Sequence, residues 1–351
     1  MLKSSLSRSQ VSLASSPEIS IVIPVHNGGV SFRKCLASIR QWGNRAEVIV
    51  VADGESDGSW KLAQQQGAKV ILLAESGGPA KARNLGAKSA SSDIVFFVDA
   101  DVEIHPATVQ RVIQAFQQDR ELAALIGSYD DSPGDGEFLS QYKNLFHHYT
   151  HQDACEEAST FWGACGAIRR DVFLSVGGFD EGYRRPCIED IELGYRLRHE
   201  GYKIRLCKDI QVKHLKRWTT FSLLRAEVFY RALPWMALLL KIRQRDPQQY
   251  QEFSSDLNLR WSSRASVILV YGLCLGLVIA PWWPPLLAIS GLIGLTLFAI
   301  NMPVYQFFYR KRGFLFALRV LPWHWLYYFY SGLAFAIGVL RHQFQVYRLA
   351  R

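Results

Sequence analysis

Short apolar, β-branched runs alternate with amphipathic stretches through the first two hundred residues of the chain. Residues 19–25, 47–52, 69–73 and 94–98 each read as a buried strand bounded by turn residues. Between them the spacing predicts helices over 31–42, where Phe32, Leu36 and Ile39 recur at helical intervals, over 59–66 and over 80–90. A helix over 108–118 and a strand over 122–128 follow, then an acidic loop rich in Gly and Pro at 130–137. Further strands are expected over 161–168 and 202–206, with a helix over 189–200 between them. Glu189, Asp190 and Glu192 load that helix's first turn and Arg196, Arg198 and His199 its last, as the macrodipole favours. Strands alternating with helices predict an α/β domain, its sheet mainly parallel and covered on both faces.

The pattern changes after residue 215. Residues 219–245 mix Phe221, Leu224, Val228 and Trp235 with Arg225, Arg231, Lys241 and Arg243, which predicts an interfacial helix pair broken near Pro234 or, equally, an ordinary core helix with a solvated basic face. Residues 265–283 and 285–305 carry no charge, and each is long enough to cross a bilayer, which takes roughly 20 apolar residues. A third span over 321–340 is possible, although Trp323, Trp325, Tyr327, Tyr328 and Tyr330 crowd one end of it. The organisation expected is a leader (1–17), a catalytic domain (18–215), interfacial helices and linker (216–264) and a membrane region (265–351). The leader is Ser-rich, lacks the apolar stretch of a secretory signal and is expected to be disordered. Arg310, Lys311 and Arg312 then belong to the cytoplasm by the positive-inside rule, giving a multi-pass inner-membrane protein with its catalytic domain cytoplasmic.

Composition narrows the partners. The formal charge of +9 fits an anionic bilayer better than nucleic acid, because the basic residues flank the candidate spans and no RNA-binding module is visible. Six cysteines without a Cys-x-x-Cys pair argue against a disulfide framework or a zinc site.

The chemistry concentrates at strand ends, where open parallel sheets bind ligands. Asp99-Ala100-Asp101 closes the buried run 94–98, and two carboxylates there suit Mg²⁺ or Mn²⁺ carrying a diphosphate. Asn27 and Asp53 end two other strands, so three sequence-distant groups are expected in one crevice. Asp53 also suits hydrogen bonding to its own turn, and Arg83 a surface ion pair.

The runs Ile21-Val22-Ile23-Pro24-Val25-His26-Asn27, Val50-Val51-Ala52-Asp53-Gly54 and Gly77-Gly78-Pro79-Ala80-Lys81-Ala82-Arg83-Asn84, with Asp99-Ala100-Asp101, come in an order that resembles glycosyltransferase family 2. Trp162-Gly163-Ala164-Cys165-Gly166, Gly177-Gly178-Phe179-Asp180-Glu181 and Glu189-Asp190-Ile191-Glu192 continue the resemblance. It implies a GT-A-type nucleotide-sugar-binding domain, followed here by interfacial and transmembrane helices, and inverting transfer from a nucleotide-diphosphate sugar to a lipid-linked or membrane-proximal acceptor. By the same resemblance Pro24, His26, Asn27, Asp53, Arg83 and Asp99 bind the donor, and Asp99, Asp101 and His214 are metal candidates. Asp190 is the expected general base, with Trp162, Gly163 and Glu189 on the acceptor side. His26 stands where relatives often carry Tyr, and Arg231-Ala232-Leu233-Pro234-Trp235 departs from the Gln-x-x-Arg-Trp of processive synthases, which favours single transfer. A catalytically silent relative that binds nucleotide sugar or lipid as an assembly partner is the competing reading.

Overall fold

The computed structural model describes residues 17–253 and 261–349, so the expected leader, Pro17 aside, and the linker residues 254–260 lie outside the described residues. One eight-stranded sheet organises the first part of the chain: β1 (Ile19–Val25), β2 (Ala46–Asp53), β3 (Lys69–Leu73), β4 (Ile94–Val98), β5 (Val102–Ile104), β6 (Leu122–Tyr129), β7 (Cys165–Arg169) and β8 (Lys203–His214), in the order β3-β2-β1-β4-β7-β6-β8-β5. β7 runs antiparallel to β4 and β6, and β5 antiparallel to β8; the remaining pairings are parallel. The sheet is therefore mixed, with a continuous parallel part over β3–β2–β1–β4 and a second parallel pair, β6–β8, beyond β7.

Alternate side chains of these strands feed two apolar layers. Ile21 and Ile23 face α1 (Gly29–Ile39), α2 (Ser59–Gln65) and α4 (Thr108–Gln118), meeting Phe32, Ile39, Ala63 and Val112. Val22, Val51 and Phe97 face α3 (Pro79–Ser89), α6 (Arg170–Ser175) and α7 (Glu189–His199), meeting Ala82, Phe173 and Leu193. Burying both faces is what the β-branched strands require.

Between β6 and β7 lies α5 (Phe138–Asp153), a helix absent from the sequence reading. Its outer side packs through Tyr142 and Leu145 against Val304, Tyr305 and Phe308 of α13 (Met302–Arg312) and Val320 of α14 (Phe314–Leu349). Beyond β8 come α8 (Thr220–Arg225), a π-helical segment (Ala226–Ala232), α9 (Leu233–Arg245) and α10 (Pro247–Phe253). No break occurs at Pro234: Arg225, Ala232 and Leu233 have helical dihedrals, and the π segment passes into α9 without an interruption. A proline lacks the N–H of an ordinary turn and its ring crowds the carbonyl four residues back, which the wider π turn before it relieves. Trp235 Nε1–H donates to the Tyr195 hydroxyl at 2.9 Å, seating α9 on α7.

Among the described residues α11 (Trp261–Ile279) is long and apolar enough to cross a membrane, and α12 (Leu286–Ile300) with α13 passes the same test only as a pair bent by 64°. The expected second span over 285–305 is thus broken at Asn301, just before Pro303 of α13. Asn301 ties the bend to its neighbours, donating to Ser266 Oγ (2.9 Å) and accepting from the Tyr328 hydroxyl (2.7 Å). The possible third span lies inside the long α14, which continues through Pro322.

Candidate active site

The end of β4, the segment before β7 and the first turn of α7 meet around one buried guanidinium. Arg83, on the inner side of α3, donates from Nη2 to Asp99 Oδ1 at 2.6 Å and from Nη1 to Glu189 Oε1 at 2.9 Å. Burial opposes its charge, but those carboxylates more than compensate and raise its pKa. Its Nε–H is buried without a partner among the described residues. Glu189 also accepts from the Cys187 amide (2.8 Å), so both its oxygens are engaged. A Cβ at residue 163 would lie 2.8 Å from Arg83 Cζ, so a side chain there would displace the guanidinium from its two carboxylates.

Asp190 follows Glu189 at the start of α7. It accepts from the Gly163 amide at 3.2 Å and lines a cavity together with Trp162 and Arg231. Desolvation, then the Glu189 charge, push its carboxyl up to about 6, against the pull of Arg83 and Arg231. The helix N-terminus does not keep this acid in the ordinary carboxylate range; burial outweighs it.

Asp101 and His214 face each other on the other side of Asp99, with His214 Nε2 at 3.6 Å from Asp101 Oδ2. His214 Nδ1–H donates to Asn144 Oδ1 of α5 at 2.6 Å, and the ring stacks on Tyr129 at 4.4 Å. Desolvation would raise the Asp101 carboxyl, but His214, then Lys216, hold it down to about 2. An imidazole held this way turns Nε2 toward a carboxylate, an N/O pair suited to a divalent cation, with Asn144 fixing the ring from behind. Among the described residues no three His, Cys, Asp or Glu side chains converge as a closed metal cage. Mg²⁺ and Mn²⁺ sites that lean on substrate phosphates need only one or two protein carboxylates.

Asp53 is buried and its carboxylate holds the 76–78 loop: it accepts from Gly77 N–H (2.6 Å), Gly78 N–H (2.9 Å) and Ser76 Oγ–H (2.9 Å). Gly78 sits at φ +90° with Arg184 backbone atoms against it, so only glycine fits that turn. His26 donates from Nδ1 to the Asp53 carbonyl (2.7 Å), and Asn27, at φ 53°, accepts from the Ser56 amide (2.8 Å). Pro24 is half-buried in β1 beside Val51. These residues share the β1–β2 end of the sheet, while Asp99, Asp101, Arg83, Glu189, Asp190 and His214 form the centre. Tyr129, Asn144 and Arg231 join that centre without having been assigned a role from sequence. Tyr129 and Asn144 had no motif to reveal them; Arg231 was visible as a basic residue of the amphipathic 219–245 stretch and in a departure from a motif.

The cavity that begins at Asp190 has a volume of about 950 Å³ and continues between α5, the π segment, α9, α11 and α14.

Residues 20–177 match the family model described as Glycosyl transferase family 2, and residues 143–219 the one described as N-terminal domain of galactosyltransferase. The chain is 32% identical over 115 residues to the uncharacterized glycosyltransferase YibD of Escherichia coli, covering 31% of this chain and 33% of that protein. It is 26% identical over 212 residues to the probable glycosyltransferase YdaM of Bacillus subtilis, covering 54% and 48%. It thus spans between a third and a half of the length of these curated relatives. Among solved structures, the mannosyltransferase PcManGT from Pyrobaculum calidifontis, in complex with GDP-Man and Mn²⁺, superposes with a TM-score of 0.56 at 16% identity over 91% of this chain and 87% of that one. At that identity the likeness is one of fold.

Proposed function

Since this chain belongs to glycosyltransferase family 2, we propose that it is a membrane-attached, inverting enzyme that moves a sugar from a nucleotide diphosphate to a lipid-linked or membrane-proximal acceptor. The observation that carries this reading is the Arg83 clamp: one guanidinium joins strand-end Asp99 to Glu189, and the next residue, Asp190, faces the cavity. Donor-side acids and an acid with a base's pKa are thereby fixed across one small space.

In this reading the acceptor hydroxyl enters from the cavity past Trp162 and Gly163, and its oxygen bonds to the anomeric carbon as the bond from that carbon to the diphosphate breaks. The proton passes to Asp190 Oδ. A carboxylate pushed up to about 6 is still ionised at neutral pH and is a stronger base than an ordinary aspartate. Asp101 and His214, with Asp99, would hold Mg²⁺ or Mn²⁺, which when bound supplies positive charge to the departing diphosphate. Arg83 holds Asp99 aimed through its 2.6 Å hydrogen bond. Pro24, His26 and Asn27 border the nucleoside end, and Asp53 acts there by holding the loop that opens α3. Glu189 acts on the acceptor side by fixing α7 and hence Asp190. We read α11, with the bent α12–α13 pair, as the membrane attachment of an inner-membrane protein whose catalytic domain is cytoplasmic; one or two of these helices are long and apolar enough to cross.

Two variants test the assignment. Asp190→Asn should lower turnover by about 10²- to 10⁴-fold while nucleotide-sugar binding stays near wild type. Asp101→Ala should lose Mn²⁺-stimulated nucleotide binding and turnover together. Equal loss of donor binding in both variants would remove Asp190 from the base role.

A further inference from the structure

We propose that His147 and His151 of α5 form a bidentate site for a divalent transition ion of the Zn²⁺ class, set in the wall of the cavity and separate from Asp99, Asp101 and His214. The site stands on these two side chains and does not depend on the transfer reaction proposed above.

The two histidines lie four residues apart, so one turn of α5 brings them to the same face, the spacing at which paired imidazoles on a helix chelate zinc. Their Nε2 atoms are 3.0 Å apart, and both residues line the cavity. His151 donates from Nδ1 to the Gly127 carbonyl at 3.0 Å, which leaves a lone pair on Nε2 of the neutral ring. The Nε2–H of His147 meets that lone pair. A backbone carbonyl behind the imidazole is the second-shell support that orients a ligating histidine. With metal–nitrogen bonds of about 2.0–2.1 Å, nitrogens at this separation subtend an angle of about 95° at an ion, and moving them about 0.3–0.4 Å further apart reaches the tetrahedral value. The ion takes the place of the shared hydrogen, which His147 then carries on Nδ1, so no net proton is released.

Packing holds the rings in this arrangement. Their centroids are 4.2 Å apart, and Trp162 stands edge-on to both, at 4.8 Å from His147 and 5.3 Å from His151. Tyr129 closes on His147 from another side at 4.8 Å. A hydrogen bond between two residues of one helix joins no separate elements, so the fold itself has little need of the pairing. Burial pushes both imidazoles down, His151 to about 4, so at neutral pH a cation meets two uncharged rings. Two neutral nitrogens suit Zn²⁺, Ni²⁺ or Cu²⁺, whereas Mg²⁺ and Mn²⁺ favour carboxylate oxygens. Among the described residues no third His, Cys, Asp or Glu converges on the pair, which leaves the remaining coordination positions to water or to an oxygen of a molecule in the cavity.

The test is calorimetric titration of the full chain with Zn²⁺, in neutral-detergent micelles and excess Mg²⁺. One tight site is expected. His147→Gln keeps an N–H donor for His151 but breaks the chelate, and should weaken that site by at least about tenfold, since even second-shell partners are worth about 10- to 100-fold in affinity. Asp101→Ala, and His199→Gln at the exposed end of α7, should leave it unchanged. In the wild-type chain, one equivalent of Cu²⁺ should show splitting from two imidazole nitrogens in its electron paramagnetic resonance spectrum, a readout that needs no substitution and therefore stands even where His147→Gln fails to fold. An unchanged Zn²⁺ affinity in a folded His147→Gln, loss of the tight site in Asp101→Ala, or Cu²⁺ held by fewer than two imidazoles each overturns the site. Because every readout is ion binding, these failures leave the transferase assignment to be judged separately by sugar transfer.

Discussion

Asp190 combines two demands that conflict. As the proposed base it must be ionised, yet desolvation and the neighbouring Glu189 push its carboxyl up to about 6 from an ordinary value of 3.8. Turnover should therefore rise with pH through about 6 and level off above it, and a profile flat between pH 5 and 8 would contradict the base role. Stability should move the opposite way. Between the unfolded and folded pKa values the folded chain binds a proton that the unfolded chain does not, so Asp190 lowers stability increasingly as pH climbs from about 4 to about 6. Asp190→Asn, whose amide oxygen can still accept from Gly163, should raise Tm at pH 7.5 and lose that advantage near pH 4. Calorimetry at the two pH values measures it. That Asp190 opens the first turn of a helix was legible from Glu189-Asp190-Ile191-Glu192; its raised pKa was not, because burial of a first-turn acid depends on residues far away in the chain. Asp53 illustrates the same limit. Its strand-end position was readable, but its three hydrogen bonds to the 76–78 loop arise from a tertiary approach that no local pattern encodes.

At the level of elements, the strands with continuous apolar runs were the readable ones. β1 to β4 stand where the β-branched runs place them, whereas β8 extends to His214, well past residue 206, because its far half alternates buried and open positions beside the short edge strand β5. α5 escaped notice for a related reason: its inward positions include Ser140, Gln141, Asn144, His148 and His151, so buried polar groups dilute the apolar period that marks a helix. Those polar positions are what α5 contributes to the site. The loop over 130–137 connects β6 to α5, and α13 holds it from outside: Lys311 pairs with Asp131, and Arg312 donates to the Asp131 carbonyl (3.0 Å) and to Gln141 Oε1 (2.8 Å). On the inside, the Gly134 amide donates to the His214 carbonyl at 2.9 Å. The C-terminal helices are thus coupled to the backbone of a metal-candidate residue. Exposed pairs contribute little to global stability, about 0 to 1 kcal/mol each. The double variant Lys311→Ala, Arg312→Ala should accordingly leave Tm within a few degrees of wild type while amide exchange over 130–137 speeds up by about fivefold, the equivalent of about 1 kcal/mol of local opening. Exchange in α4 is the internal control, and a uniform change in both segments would mean that the tether is global rather than local.

For the whole molecule the deciding question is how the cavity is presented to its acceptor. Its walls come from both parts of the chain: α5, Trp162 and Asp190 on one side, α11 and α14 on the other. Tyr142 and Leu145 of α5 and Tyr195 of α7 anchor the C-terminal helices to the sheet domain, which makes the acceptor side a property of the assembled chain. The outward surface of α11 and α12 is apolar, with Ile268, Leu275, Val278, Leu292 and Leu295 exposed, more than a water-facing surface normally carries in one place. A bilayer covering that surface predicts a specific labelling pattern. Cys274 on α11 and Cys155 after α5 are both exposed in the isolated chain. With the protein in native membranes, a water-soluble maleimide should modify Cys155 and spare Cys274; transfer to detergent micelles and then mild unfolding should bring Cys274 into reach. In sealed cells Cys155 should stay unmodified until the inner membrane is opened, as a cytoplasmic catalytic domain requires. Peptide-resolved mass spectrometry reads both sites in one sample without changing the sequence. Rapid labelling of Cys274 in intact membranes would mean that α11 faces water, and the acceptor would then have to reach Asp190 from solution rather than along the lipid phase.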